Sequence, residues 1–434
     1  MRSFTNRVGC ALILSGVLLS LIASPVSAVG VDDHPRLRAI FDELVQQQIY
    51  GAAELRELLG KAKFQQTVLD AMTSPAEYKF TWGKYRKIFM QDERYQQGVD
   101  FWLEHEEAFS RAEQEYGVPA SMIAAILGVE SKFGRIKGKH KVLDSLVTLI
   151  IGYERRSQFF ASELKEFLLL TKENKMDAAE IRGSYAGAVG FPQFISSSYR
   201  NYAVDFNQDG VTDLIDQPVD AIGSIANYFV ENGWKPGQPV TSLGHAEVPQ
   251  GVEELASRKR KVQHSAEKLR QLGAPLAETI NGEEQLGVLM LNASEIVPDN
   301  SARNEYLVRA GDTACQIAEA HQVPCKELFR LNNLNKRGDI FRGQKLKLPA
   351  KALKPVQQAK DSNWKVSSAA KVASAQNSQQ ATTEIPRYFF THHNFYVITR
   401  YNQSVLYAMA VQELSEAIAN AYSERLAAST GEGE

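Results

Sequence analysis

Cysteine is scarce in this chain of 434 residues: there are three. Cys10 lies in the leading apolar run, which leaves Cys315 and Cys325, ten residues apart, as an even pair. In an oxidising compartment such a pair is a disulfide candidate, with two buried thiols as the alternative. Charge of one sign is not in excess either. Lys and Arg number 49 against 51 Asp and Glu, so nothing in the composition suggests a nucleic-acid partner. After residue 28 no segment is both apolar and long enough to span a bilayer, which takes ~20 residues. Several catalytic signatures are missing as well. "HEEAF" at His105 has no second zinc-spaced histidine, and His392 and His393 have no partner motif. "GRIKGKH" lacks the Ser/Thr and spacing of a phosphate loop, and no Gly-x-Ser-x-Gly elbow occurs. These stretches are expected on solvated faces or in strands.

What is present is an ordinary globular composition, 44% hydrophobic, long enough for roughly two to four domains. Arg2 and Arg7 precede "CALILSGVLLSLIA", and "VSA" ends at Ala28, the pattern of a cleavable export signal over 1–28. The chain is therefore expected to be exported, with no transmembrane span once the signal is removed. Helical periodicity fills an N-terminal stretch, 29–115, and continues through a core at 116–244. A helix and strand segment (245–300) leads to a self-contained strand–helix–helix–strand pattern over 305–349. Residues 350–386, rich in Ala, Ser, Gln and Lys, read as a flexible linker. Order then resumes over 387–428, where "RYFFTHHNFYVITRYN" predicts strands and "SVLYAMAVQELSEAIANAYSERL" an amphipathic helix. A patterned end after such a linker suggests that module and linker interrupt an older domain.

One carboxylate stands out. "SMIAAILGVESKFG" (Ser121–Gly134) is almost wholly apolar yet contains Glu130. A helix starting at Pro119 places Glu130 in its last turn. There the helix dipole and the apolar neighbours both favour the protonated form, with Lys132 and Arg135 opposing if they turn inward. Such a group suits general-acid chemistry at a glycosidic oxygen; a glutamate satisfied by a buried arginine is the alternative. "GSYAGAVGFPQF" (Gly183–Phe194) offers glycines for close approach to a ligand, or for tight packing. Its Ser184 and Gln193 can hydrogen-bond hydroxyl or acetamide groups. "DFNQDGVTDLID" fits the calcium-loop template, with Asp205, Asn207 and Asp209 at positions one, three and five and Gly210 at six. The Val211 carbonyl follows at seven, Asp213 at nine, and Asp216 at twelve in place of glutamate. Calcium is expected there in a structural role.

"GVESKFGR", "GSYAGAVGFPQFISSSYRNYAVDFNQDG" and "NFYVITRYNQS…YAMAV" closely resemble the lytic murein transglycosylase B family. The resemblance implies a mainly α (α+β) fold: a lysozyme-like helical core with an EF-hand-like loop and a short C-terminal strand and helix segment. It implies that Glu130 is the sole catalytic acid/base. It also implies a groove lined by Ser184, Gln193, Phe194, Arg155 and Arg156, with Tyr85 and Tyr228, closed by Asn394, Tyr396, Arg400 and Tyr401. The implied substrate is the glycan strand of peptidoglycan, cut between N-acetylmuramic acid and N-acetylglucosamine with closure of a 1,6-anhydro ring. A periplasmic location and other cell-wall enzymes as partners go with it. A hydrolytic muramidase or a non-catalytic wall-binding scaffold are the competing functions. "YLVRAGDTACQIAEAHQVPCKELFRLNNL…FRGQKLKLP" resembles the LysM module, a βααβ glycan binder, through Gly311, Asp312, Thr313, Ile317, Ala318, Leu328, Asn332, Gly343, Gln344 and Pro349. Ala314 stands where leucine is usual, and a Cys315–Cys325 link is the expected compensation.

Overall fold

The computed structural model describes residues 30–73, 80–242, 247–258, 260, 262–296, 305–308, 313–320, 323–335, 338, 340, 344–348 and 382–431. The expected export signal, most of the expected linker, and Gly311, Asp312, Gly343 and Pro349 lie outside the described residues. The described chain divides into two compact units that do not follow the sequential boundaries expected from composition. Residues up to 72 join 140–187, and 73–139 join 188–434. No helix among the described residues is long and apolar enough to cross a membrane.

In the first unit the helix Pro35–Gln46 buries Leu37, Ile40, Phe41 and Leu44, the three- and four-residue spacing of one helical face. It packs on Ala52–Gly60, Val142–Gly152 and Ser157–Glu173. Asp144, buried in the third of these, is satisfied by the Lys63 N–H (2.9 Å) and the Gln65 side-chain amide (3.2 Å). A two-residue antiparallel pairing of His140–Lys141 with Arg182–Gly183 ties the ends of the 140–187 segment together.

The second unit is organised around the helix Ala120–Ser131, whose residues Met122 to Gly128 are all buried. A helix apolar on every side needs partners on every side. They are Asp92–Glu104, Glu106–Tyr116, Pro218–Glu231 and the C-terminal helix Val405–Gly431. Pro119 sits at the N-cap, one step earlier than expected. A three-stranded antiparallel sheet orders His264–Ser265, Gln285–Ile296 and Thr382–Thr391, and Leu286, Val288 and Phe390 pack with Val252 and Leu269. The Gln285–Ile296 and Thr382–Thr391 ladder runs from Gly287 opposite Thr391 to Ile296 opposite Thr382. Residues 297–381 are thus inserted at the tip of a two-stranded ribbon, and Thr382–Pro386 are strand, where linker is expected. Within the insertion, Glu305–Leu307 pairs antiparallel with Lys345–Lys347 around the helices Ala314–Ala320 and Cys325–Leu331. Tyr306, Ile317, Ala318, Leu328 and Leu346 form its own core.

The stretch 387–402 differs from expectation. It is strand only to Thr391, and His393–Tyr401 is a helix. Packing overrides β propensity here, because Asn394, Phe395, Val397, Ile398 and Thr399 are all buried on helical spacing. His392 caps this helix and is neither solvated nor in a strand. It is wholly buried between the Glu284 carboxylate (Nδ1, 2.7 Å) and the Ser242 hydroxyl (Nε2, 2.8 Å).

The glycines of the Gly183–Phe194 loop serve packing. A Cβ on Gly187 (φ +86°) would meet Leu146 at 2.9 Å, and one on Gly190 (φ +73°) would lie 2.1 Å from the Leu214 carbonyl oxygen. The Phe191 N–H donates to that same oxygen at 2.9 Å, so the backbone there has no room to retreat. Gly190→Ala is expected to lower stability by more than ~2 kcal/mol, combining left-handed strain with a backbone clash. Urea denaturation followed by tryptophan fluorescence measures this; an unchanged midpoint would contradict the packing described.

Candidate active site

Glu130 lies one residue before the end of the Ala120–Ser131 helix, and that end is unusual. Lys132, Phe133 and Gly134 adopt φ of +50°, +58° and +80° in succession. The Leu127 carbonyl accepts from the Lys132 N–H and, at 3.0 Å, from the Phe133 N–H. This left-handed termination satisfies a carbonyl the helix leaves orphaned. The next carbonyl, Gly128, takes its hydrogen bond from the Arg94 guanidinium at 2.6 Å. Ser131 accepts from the Gly134 N–H (3.0 Å) and donates to Leu127 (3.3 Å). Phe133 is buried, its ring against Phe101 (5.6 Å between centroids) and over Gly98 and Gly128. A β-carbon on Gly128 would stand 2.8 Å from that ring, so the glycine lets the turn fold back onto the helix.

Glu130 itself is half-buried. The Tyr407 hydroxyl donates to its Oε1 at 2.6 Å, from the first turns of the C-terminal helix. Tyr407 is buried. Burial first, then the nearby Glu130 charge, pushes its phenol well above the usual tyrosine range, so it stays protonated as a donor. The Tyr401 ring stacks on Tyr407 (6.4 Å, 12° between planes), and its hydroxyl donates to the Pro192 carbonyl at 2.6 Å. Burial and the Glu130 charge raise Tyr401 too. Tyr228, raised by burial, donates to the Arg400 carbonyl at 2.8 Å. Phe194 fills the space between Tyr228 (5.6 Å) and Tyr401 (5.7 Å). The result is a carboxyl group oriented by one phenol and approached along an aromatic wall, an arrangement able to exchange a proton with a ligand group placed against it.

Of the residues expected to line a groove, Phe194, Tyr228 and Tyr401 are thus brought together beside Glu130. Tyr85 is buried against Phe89 (5.2 Å), close enough to Tyr407 to influence its phenol electrostatically. Gln193 (φ +49°) spends its side-chain amide on the Gly190 and Lys137 carbonyls at 2.8 and 3.2 Å, bracing its own loop. Asn394 is a correction. It is wholly buried and clamps the Lys235 N–H and the Lys235 and Gln238 carbonyls, which leaves it no polar atom for a groove. Tyr396 is half-buried beside His393, and the exposed Arg400 reaches Asn232 at 3.4 Å; neither joins the cluster at Glu130. Lys132 and Arg135 are exposed and do not turn inward. Ser184, Arg155 and Arg156 belong to the first unit. Ser184 accepts from the Ala186 N–H at 3.2 Å, Arg155 is exposed, and Arg156 lies over the Phe159 ring at 4.0 Å. Tyr407 is the residue that sequence reasoning missed. Its signal was the "YAMAV" motif, where a tyrosine heads an otherwise apolar helical run.

In the 205–216 loop, Asp205 accepts from the Asp209 (3.1 Å) and Gly210 (2.8 Å) N–H groups, and Asn207 and Asp209 accept within the same turn. Asp213 accepts from the Ile215 and Asp216 N–H groups, Val211 is exposed, and Gly210 takes φ +89° at the sharp turn. Asp216 is drawn instead to Lys137 (2.9 Å). The carboxylate that closes the loop is Asp220, beyond the twelve-residue frame. It is wholly buried and accepts from Phe206, Asn207 and Asp213 N–H groups. No group of three or more His, Cys, Asp or Glu poised around a metal was found among the described residues. In the inserted module Cys315 and Cys325 are disulfide-bonded, with Cα atoms 4.8 Å apart. Thr313 caps the first helix reciprocally with Gln316, and Asn332 grips both the N–H and carbonyl of Lys347.

Residues 33–313 and 334–416 match the transglycosylase SLT domain family, and 306–349 match the LysM domain. The chain belongs to the transglycosylase SLT family and carries a LysM domain within it. It is 40% identical over 226 residues to the membrane-bound lytic murein transglycosylase B of Escherichia coli, an alignment spanning 50% of this chain and 62% of that protein. Among solved structures it is similar to the soluble lytic transglycosylase SltB1 of Pseudomonas aeruginosa (32% identity, TM-score 0.66, 90% of this chain and 99% of that one). The Escherichia coli lytic transglycosylase Slt35, solved in complex with calcium, is similar at 30% identity and TM-score 0.64, over 92% and 97% of the two chains.

The Tyr407–Glu130 contact can be measured on its own. A double-mutant cycle on Tyr407→Phe and Glu130→Ala, read by urea denaturation, is expected to give a coupling of at least ~0.5 kcal/mol. Coupling within error of zero would mean that the hydrogen bond is not made in solution.

Proposed function

We propose that the chain is a peptidoglycan lytic transglycosylase that uses Glu130 as its one acid/base. The observation that carries this is the half-buried carboxyl group held by the Tyr407 phenol at the end of a buried helix, in a chain of the transglycosylase SLT family. The Escherichia coli relative, named a lytic murein transglycosylase, supports the substrate. Protonated Glu130 gives its proton to the oxygen linking N-acetylmuramic acid to N-acetylglucosamine, and the C1–O bond breaks. The substrate's own acetamide carries the positive charge at C1. Glu130, now ionised, takes the proton of the muramoyl C6 hydroxyl as O6 bonds to C1, closing the 1,6-anhydro ring. No water is consumed and no second protein carboxylate is required, unlike two-carboxylate glycoside hydrolysis. The other expected groove residues, Ser184, Arg155 and Arg156, are assigned to the sugar and its substituents on the family resemblance. The LysM domain is assigned to holding glycan near the enzyme, where tethering raises local substrate concentration. An exported protein of the cell envelope, periplasmic in location, suits this substrate.

Mass spectrometry of peptidoglycan digested by the purified protein tests the assignment. Anhydromuramoyl ends are expected, and Glu130→Gln is expected to abolish them while retaining the wild-type melting temperature. Reducing muramoyl ends would identify a hydrolytic muramidase, and no cleavage would identify a wall-binding protein.

Calcium is proposed as a structural ion of the 205–216 loop. The donor set is hard oxygen throughout, and Asp205, Asn207, Asp209 and Asp213 already bend the backbone as such a loop requires. The Slt35 complex with calcium supports the same choice. The group fits, and Asp205, Asn207, Asp209, the Val211 carbonyl and Asp213 would hold it, supplying charge balance to the loop and no chemistry. Millimolar calcium added to chelator-treated protein is expected to raise its melting temperature by several degrees, and Asp209→Ala to remove that rise. An equal response in wild type and variant would overturn the site.

A further inference from the structure

A cleft of about 280 Å³ opens between the Asp92–Glu104 helix and the turn that follows Glu130. Three cations line it. Arg94 is only 7% exposed, and its guanidinium donates to two neutral acceptors, the Gly128 carbonyl (2.6 Å) and the Ile88 carbonyl (3.5 Å). Lys132 and Arg135 stand exposed on the rim. Among the described residues none of the three forms an ion pair. The one acid on the cleft is Glu93, which is exposed and accepts from the Gln97 amide at 2.7 Å. Burial pulls the Arg94 pKa down and Glu93 only partly opposes this, as befits a buried cation with no anion against it. A buried charge lacking a counter-charge is costly, and three cations against one acid leave the cleft positive. Beside them lie two neutral amides, Gln91 and Gln97, and the apolar Ile136, 55% exposed. Charge for a carboxylate, amides for peptide groups and an apolar contact together describe a short acidic peptide.

We propose that this cleft takes a carboxylate of the stem peptide carried by the muramoyl residue at the cleaved bond, so that peptide-bearing strands are preferred over bare glycan. This rests on the transglycosylase assignment. Reach supports it: Lys132 is two residues after Glu130, so their Cα atoms are at most about 7.6 Å apart. A peptide attached to the sugar at Glu130 therefore has little distance to cover. The cleft supplies selectivity, while the proton transfers stay with Glu130.

The test compares kcat/KM on peptide-bearing strands and on strands stripped of peptide by an amidase, each scored by anhydromuramoyl product. In Arg135→Glu and in the milder Arg135→Gln, both at an exposed position, the ratio of the two rates is expected to fall. The fall expected for charge reversal is about fivefold or more, the scale of a partly screened charge contact. Lys268→Glu, exposed on another helix, controls for net charge and is expected to keep the wild-type ratio. An unchanged ratio in both Arg135 variants, or an equal fall in Lys268→Glu, would overturn the site while leaving the activity standing. Failure of the wild type to make anhydromuramoyl product from either substrate would overturn the activity and this site with it.

Discussion

Ending a helix inside a hydrophobic core is the constraint on which the catalytic unit depends. The last carbonyls of a helix have no intrahelical donor, and in the core no water reaches them. The Ala120–Ser131 helix meets this with a left-handed turn for Leu127 and a buried guanidinium for Gly128. Two non-glycine residues, Lys132 and Phe133, take left-handed conformations to do so, at a cost of order 1 kcal/mol each. Burial of the Phe133 ring over Gly98 and Gly128 offsets that cost. The turn fixes where the helix stops, and hence where Glu130 projects. A glutamate one turn earlier would lie among Ile123, Ile126 and Leu127, with no polar partner.

The partner that Glu130 does have arrives from 277 residues further along the chain. This explains why the chain returns after its insertion. The ribbon of Gln285–Ile296 and Thr382–Thr391 keeps the two cut ends hydrogen-bonded across the gap, so the entropy of the long excursion between them is held outside the catalytic unit. Loop-closure entropy grows only logarithmically with length, so an insertion at a ribbon tip is cheap where one in the buried helix would be ruinous. The module placed there has its own core and its own cross-link, and needs nothing from the sheet to fold.

Much of this was legible in the sequence because apolar periodicity and long motifs carry it. The buried helix, the odd glutamate in its last turn and the βααβ insertion all announce themselves in order along the chain. The rest was not legible, for physical reasons. Strand propensity in Arg387–Asn402 gave the wrong element after Thr391, because inward packing of Phe395, Val397 and Ile398 decided the matter. Asn394 read as a groove residue because a sequence shows a polar side chain but not that four polar contacts consume it. Asp220 escaped because a twelve-residue template does not ask what lies eight residues beyond the loop's third ligand type, and Arg94 because buried arginines look like exposed ones on paper.

The aromatic residues near Glu130 show how one carboxyl group can be left in charge of the proton. A phenol can donate to a carboxylate, and three tyrosines lie close enough to compete. Two are engaged elsewhere: Tyr401 donates to Pro192 and Tyr228 to Arg400. Only Tyr407 donates to Glu130, and the stacked Tyr401 ring shields that bond. Burial keeps all three phenols protonated, so none brings a second negative charge against the carboxyl group. The wall next to the acid is therefore neutral and largely apolar, which strengthens every electrostatic interaction made there. A site that excludes water this way favours attack by a hydroxyl already in the substrate over attack by solvent. The same packing that buries the tyrosines is thus the physical link between this fold and ring closure instead of hydrolysis.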